Sequence, residues 1–200
     1  FNKVFKLDPN HTSIYLGRGE YYYSIGNYQK AIKDFTKQIN TKPKDASAFL
    51  SRGQAQAMAG HSQAAINDFD KAIKLNKSNA IAYFYRGVTY ESLGNMELAN
   101  NDYIQSIELK SIFGRQVIDR YTNKIEFYPN IPYFYFYRGT VYNKLGQYQL
   151  AIDDFTKVIH LKSDYAIAYN NRGYAYSRLN QIEHAIRDFT HAIKLKPKFK

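Results

Sequence analysis

The sequence predicts an all-α fold, a solenoid of helical hairpins with an extra half-repeat helix in the middle. Arg-Gly pairs recur at Arg18-Gly19, Arg52-Gly53, Arg86-Gly87, Arg138-Gly139 and Arg172-Gly173, in steps of 34 residues apart from one step of 52 between Gly87 and Gly139. A period of this length is that of stacked helical hairpins. Around each pair, apolar residues fall at three- and four-residue spacings, the stripe of an amphipathic helix. Gly26, Gly60, Gly94 and Gly146 then occupy one column, with Asn180 in the fifth unit. Glycine there suits the left-handed cap that ends a helix, and asparagine is the tolerated substitute. Stacked hairpins bury their faces on neighbours, so function is sought on a surface.

The elements follow in order. Phe1, Val4, Leu7 and Pro9 match the closing columns of the repeat, so a truncated unit is expected ahead of the first full one, and any targeting segment would lie upstream of it. Three full repeats are expected at 12–45, 46–79 and 80–113. In the third, Ala82, Tyr83, Arg86, Gly87 and Tyr90 line a first helix. Leu93, Gly94 and Asn95 end it, and Ala99, Tyr103, Ile104 and Ile107 line a second. The small residues Gly87 and Ala99 let the two helices approach, and tyrosines fill the space beside them. The 52-residue step exceeds one period by 18, and Val117, Tyr121, Ile125 and Pro129 repeat the columns of Ala31, Phe35, Ile39 and Pro43. Residues 114–131 are thus an extra second helix. Eighteen residues make five turns and preserve the direction of the apolar stripe, which favours one continuous or gently kinked helix from Met96 to Tyr128, extended by roughly 27 Å. Gly114 argues instead for a break. Two further repeats are expected at 132–165 and 166–199.

These columns resemble those of the tetratricopeptide repeat (TPR) family. Tyr15, Phe49, Tyr83, Tyr135 and Tyr169 stand where that family usually has tryptophan. Ala31, Ala65, Ala99, Ala151 and Ala185 fill its alanine column, followed by Phe35, Phe69, Tyr103, Phe155 and Phe189. Pro9, Pro43, Pro129 and Pro197 close units, while Lys77, Ser111 and Ser163 depart there. The resemblance implies a right-handed superhelix whose first helices line a concave, peptide-holding groove. It is specific for fold and says little about the partner.

Arginine precedes the glycine in every full unit where the family commonly has leucine. Asp34, Asp68, Asp102, Asp154 and Asp188 each lie 16 residues after an arginine. In a hairpin folded about the glycine turn the two columns come level, so they are expected to form ion pairs, each contributing about 0 to 1 kcal/mol if exposed. The competing reading makes the arginines an anion-binding ladder.

Composition narrows the functional classes. The net charge of +11 keeps nucleic acid and other polyanions in view. The basic residues are dispersed, however, and Lys194, Lys196, Lys198 and Lys200 read as the favoured basic end of a helix. The chain has no cysteine, which excludes disulfides, thiolate metal sites and cysteine nucleophiles. That leaves the compartment open, with cytoplasmic the default. No apolar run reaches the roughly 20 residues of a membrane span. No nucleophile elbow, phosphate loop or helix-borne zinc signature occurs, so no catalytic residue, metal or cofactor is expected. His184 and His191 lack a third ligand, and the adjacent Asp153 and Asp154 diverge on a helix. Asn10-His11-Thr12 and Asn76-Lys77-Ser78 are glycosylation sequons in form.

The groove implied by the resemblance would be lined by first-helix residues that the hairpins do not need for packing. These are Leu16, Glu20, Tyr23, Leu50, Gln54, Met58, Phe84, Val88 and Glu91 in the first block, and Tyr133, Phe136, Thr140, Asn143, Lys144, Asn170, Tyr174 and Arg178 in the second. Apolar groups outside the packing stripe point to a binding surface. Chaperone-binding members clamp a terminal carboxylate with Lys, Asn and Arg. Here Leu16, Glu20, Leu50, Gln54, Phe84 and Val88 occupy the corresponding places, so the clamp is absent. The expected function is a non-catalytic scaffold that binds a protein or peptide through aromatic and aliphatic contacts. The alternatives are polyanion binding, and self-association through the apolar side of Ile186, Phe189 and Ile193. Glu20 and Glu91 against Lys144 and Arg178 further suggest that a ligand's acidic end prefers the second block.

Overall fold

The computed structural model describes residues 13–196. The truncated unit, the first sequon, Pro197, Lys198 and Lys200 lie outside the described residues. Among the described residues, eleven helices follow one another with no strand: α1 Ser13–Ser24, α2 Tyr28–Thr41, α3 Ala46–Met58, α4 Ser62–Leu75, α5 Ala80–Ser92, α6 Met96–Leu109, α7 Phe113–Phe127, α8 Pro132–Lys144, α9 Tyr148–Leu161, α10 Ala166–Arg178 and α11 Ile182–Leu195. They form two compact units, Phe1–Leu109 and Lys110–Lys200.

Within each hairpin the glycine beside the arginine is where the two helices meet. A Cβ on Gly53 would lie 2.7 Å from the Phe69 ring, so only hydrogen fits. Phe35, Phe69, Tyr103 and Phe155 are accordingly almost fully buried, each beside an alanine of the second helix. The turns use positive φ where expected, as at Gly60 (81°) and Asn180 (59°). Asn27, Asp45 and Asn79 cap α2, α3 and α5 by accepting backbone N–H bonds with their side chains, which satisfies amides at the first turn.

The continuous helix from Met96 to Tyr128 is not formed. α6 ends at Leu109, and the chain turns through Lys110, Ser111 and Ile112 before α7 begins at Phe113. There the N–H of Phe113 donates to Lys110 O at 3.2 Å and that of Gly114 to Ser111 O at 2.9 Å, so three-residue bonds replace the helical four-residue pattern. The break precedes Gly114, whose small size serves a different purpose. A Cβ there would meet Leu145 Cδ1 at 2.7 Å, so glycine lets α7 lie against the end of the following hairpin.

Candidate functional site

The repeat arginines are oriented by their own hairpins. Arg18, Arg52, Arg86, Arg138 and Arg172 each fork two N–H groups onto Asp34, Asp68, Asp102, Asp154 and Asp188 at 2.6–2.9 Å. The expected ion pairs are thus formed, and their carboxylates are 3–6% exposed, so the small contribution of an exposed pair does not describe them. Burial pushes Asp102 and Asp154 upward against the pull of their arginines. The same hydrogen bonds hold the Arg86 and Arg138 guanidiniums more firmly protonated than usual. At Arg86, Arg138 and Arg172, aromatics three before and four after the arginine flank the cation, as Tyr135 and Tyr142 do at 5.8 and 5.9 Å from Arg138.

A third donor reaches back into the preceding second helix. Nη1 of Arg52, Arg138 and Arg172 donates to Thr36, Thr122 and Thr156 at 3.2, 3.0 and 3.0 Å, and that of Arg86 to Asp70. Each such arginine thus closes its own hairpin and ties that hairpin to its predecessor. A guanidinium with this set of partners is committed internally, which removes the anion-ladder reading.

With the first helices fixed in this way, a cleft of about 170 Å³ opens in the N-terminal unit. Tyr23 of α1, Gln54, Ala57 and Met58 of α3, Ser62 of α4, and Tyr85, Val88, Thr89 and Ser92 of α5 line it. Two of its hydroxyls face their own helix: Thr89 Oγ1 donates to Tyr85 O at 2.8 Å and Ser92 Oγ to Thr89 O at 2.7 Å. What remains toward the cleft is chiefly aromatic and aliphatic. Burial pushes the Tyr23 phenol up, beside Tyr85 and Tyr28. Met58 is 57% exposed, an unusual position for a large apolar side chain.

Of the expected groove residues, the structure brings together Tyr23, Gln54, Met58 and Val88. Leu16 and Leu50 pack against the buried clusters around Phe35 and Phe49. Glu20 is exposed, and Glu91 accepts a hydrogen bond from the Tyr103 hydroxyl. Phe84 and Phe136 are 6% and 9% exposed, so neither is a surface contact. Phe84 packs on Tyr103, and Phe136 on Phe155 and Tyr165. Besides Val88, the cleft takes Tyr85, Thr89 and Ser92 of the same helix, and not Phe84 or Glu91.

In the second unit Tyr133 is exposed and meets Tyr165 edge-on, with the Lys162 ammonium over both rings. Thr140 donates to Phe136 O at 2.8 Å, and Asn143 Nδ2 to Asn171 O at 3.1 Å. Arg178 donates to the Tyr148 hydroxyl at 3.1 Å, and Tyr174 lies edge-on to the same ring. Asn170 is half-buried and Lys144 exposed. Among the described residues no group of three or more His, Asp or Glu side chains is placed to hold a metal ion, and no helix is long and apolar enough to cross a membrane.

Sequence profiles described as tetratricopeptide repeat match residues 12–45, 80–112 and 166–199, and one described as TPR repeat matches 62–94 and 139–180. No curated protein sequence matches the chain. Among solved structures it is similar to YrrB, a TPR protein with an unusual peptide-binding site (TM-score 0.53, 18% identity, covering 98% of this chain and 92% of that one). It is also similar to MamA (0.51, 22%, 94% and 92%) and to a chain of the APC/C hetero-tetramer Cut9-Hcn1 (0.53, 19%, 99% and 42%). At these identities the likeness concerns the fold. The matched segments together cover well over half of the sequence, and the chain belongs to the tetratricopeptide repeat family.

Proposed function

We propose that this chain is a protein–protein interaction scaffold whose N-terminal unit holds a segment of another protein, with an apolar side chain of that segment seated in the cleft between α1, α3 and α5. The observation that carries this reading is the convergence of Tyr23, Met58, Tyr85 and Val88 around about 170 Å³, a volume suited to one aliphatic or aromatic anchor. The family is one of interaction modules, and YrrB is a relative in fold with a peptide-binding site. The polyanion reading is weakened because five arginines of the +11 chain are already paired with buried aspartates.

The test is to pan a displayed library of random peptides on the chain and measure binding of the enriched clones. The expected winners carry a bulky apolar residue, bind almost independently of salt, and lose about tenfold or more in affinity against Val88→Glu. Enrichment of acidic peptides without an apolar residue, with affinity falling steeply as salt rises, would count for the polyanion reading instead.

A further inference from the structure

In a chain of net charge +11, the first helices of the N-terminal unit are left negative. α1, α3 and α5 carry three cations, Arg18, Arg52 and Arg86, and each is forked onto a buried aspartate. The charges that remain on these helices are Glu20, which is exposed, and Glu91, which is half-buried beside the Tyr103 hydroxyl. Lys42, Lys44 and Lys77 stand in the loops that lead into α3 and α5, at the ends away from the cleft. Each of these two helices has 13 residues and so is about 20 Å long, whereas charges in salt of physiological strength act over about 8 Å.

The cleft opens where these helices end. Of its lining residues, Tyr23, Met58 and Ser92 are each the last or next-to-last residue of α1, α3 and α5. A helix C-terminus carries partial negative charge and favours a cation in its last turn. In the second unit that place is filled, since α8 ends on Lys144 and α10 on Arg178. The corresponding residues of the first unit are Ser24, Met58 and Ser92, and none of the three last turns holds a basic residue. The last turn of α5 instead carries Glu91, a carboxylate placed against the helix dipole. Of the lining residues only Ser62, the first of α4, stands at an opposing helix end.

The tyrosines of the cleft lack a cation as well. Elsewhere the chain covers its own rings, as Lys30 does Tyr22, Lys162 does Tyr133 and Arg178 does Tyr148. Among the described residues no cation lies over Tyr23 or Tyr85. The face of such a ring attracts a cation within about 6 Å of its centre. We propose that the segment held in the cleft carries a lysine or arginine next to its apolar anchor, and that this cation rests against the Tyr23 and Tyr85 rings where α1, α3 and α5 end. The proposal rests on the function proposed above and adds to it the charge of the partner. A single cation makes the salt dependence shallow, unlike that of a polyanion.

The test uses the full chain and peptides enriched on it from a displayed random library, with affinity read by fluorescence anisotropy. Enriched peptides are expected to carry lysine or arginine next to, or one removed from, the bulky apolar residue. Exchanging that basic residue for alanine should weaken binding about fivefold, and for glutamate about tenfold or more. Ser92→Lys gives α5 the terminal cation that α8 and α10 have, and should weaken the basic peptide about tenfold. Ser92→Met, of similar length and uncharged, should leave it nearly unchanged, and the alanine peptide should not distinguish the two variants. Ser92 is exposed, so both variants should melt with the parent chain. Val88→Asn removes an apolar wall of the cleft without adding charge, and so reports separately on the cleft. Peptides that lose affinity to Val88→Asn but carry no basic residue, or whose basic residue is indifferent to Ser92→Lys, overturn the proposal and leave the cleft as the binding site. Peptides indifferent to Val88→Asn bind elsewhere, and both the cleft and the proposal fall.

Discussion

Arg138 donates from Nη1 to the hydroxyl of Thr122 at 3.0 Å, while its Nε and Nη2 hold Asp154. Thr122 belongs to α7, the helix that has no first helix of its own, so α7 serves the next hairpin as the second helix of a preceding repeat would. The two interactions should separate in magnitude. Thr122→Val removes one neutral acceptor and should cost about 1 kcal/mol. Arg138→Leu strands the buried Asp154 carboxylate and should cost about 3–5 kcal/mol. Urea unfolding followed by circular dichroism measures both. Equal costs would show that the fork to Asp154 does not dominate.

Two glycines of one repeat should fail for different reasons. At Gly53 an added methyl group meets the Phe69 ring, and overpacking of this kind costs about 1–3 kcal/mol. At Gly60 nothing lies near the missing Cβ, but φ is +81°, and alanine should cost about 1–2 kcal/mol through the backbone alone. Phe69→Leu should partly rescue Gly53→Ala and leave Gly60→Ala unimproved in thermal melts.

Phe84 and Val88, four residues apart on α5, should divide stability from binding. Phe84→Ala opens a hole against Tyr103 and should lower stability by about 3–5 kcal/mol. Val88→Glu should leave the melting temperature nearly unchanged and abolish capture of peptides selected on the parent chain. Comparing melts with peptide anisotropy distinguishes them.

Asp45 caps α3 and should supply an acid-sensitive part of the stability. Burial pushes its carboxyl up, but hydrogen bonds from the Ser47 hydroxyl, the Gln38 amide and the N–H groups of Ala48 and Ser47 more than offset this and leave it below its usual value. A group lowered on folding favours the folded state above its ordinary pKa and loses that contribution as pH falls through the lowered one. Asp45→Asn should therefore be less stable than the parent at neutral pH, with the gap narrowing below about pH 4. A gap that stays constant through this range would contradict the assignment.

Much of the fold was legible because the repeats state it five times. The arginine–aspartate pairs follow from a 16-residue interval that brings two columns level across one turn. The threonines two residues beyond Asp34, Arg120 and Asp154, namely Thr36, Thr122 and Thr156, were not legible as partners of the arginines, since the bond crosses from one second helix to the next hairpin and position 70 uses aspartate. Phe84 and Phe136 misled because their own hairpins use them: Phe84 lies against Tyr103 and Phe136 against Phe155, with Tyr165 of the next repeat closing on Phe136 as well. The side of α5 that lines the cleft therefore includes Tyr85 beside the expected Val88, and leaves out Phe84. The break at Lys110–Ile112 was hidden by the intact apolar stripe, which fixes the direction of a helix and not its continuity.

The chain contains two methionines, Met58 in the cleft and Met96 at the start of α6, outside it. Methyl-labelled methionine therefore gives two NMR signals, assignable with Met96→Leu, and one of them reports directly on the proposed site. On saturation with a peptide selected from the library, the Met58 methyl resonance should shift strongly while Met96 stays in place. Saturable binding that leaves Met58 unmoved would place the ligand elsewhere and contradict the assignment of the cleft.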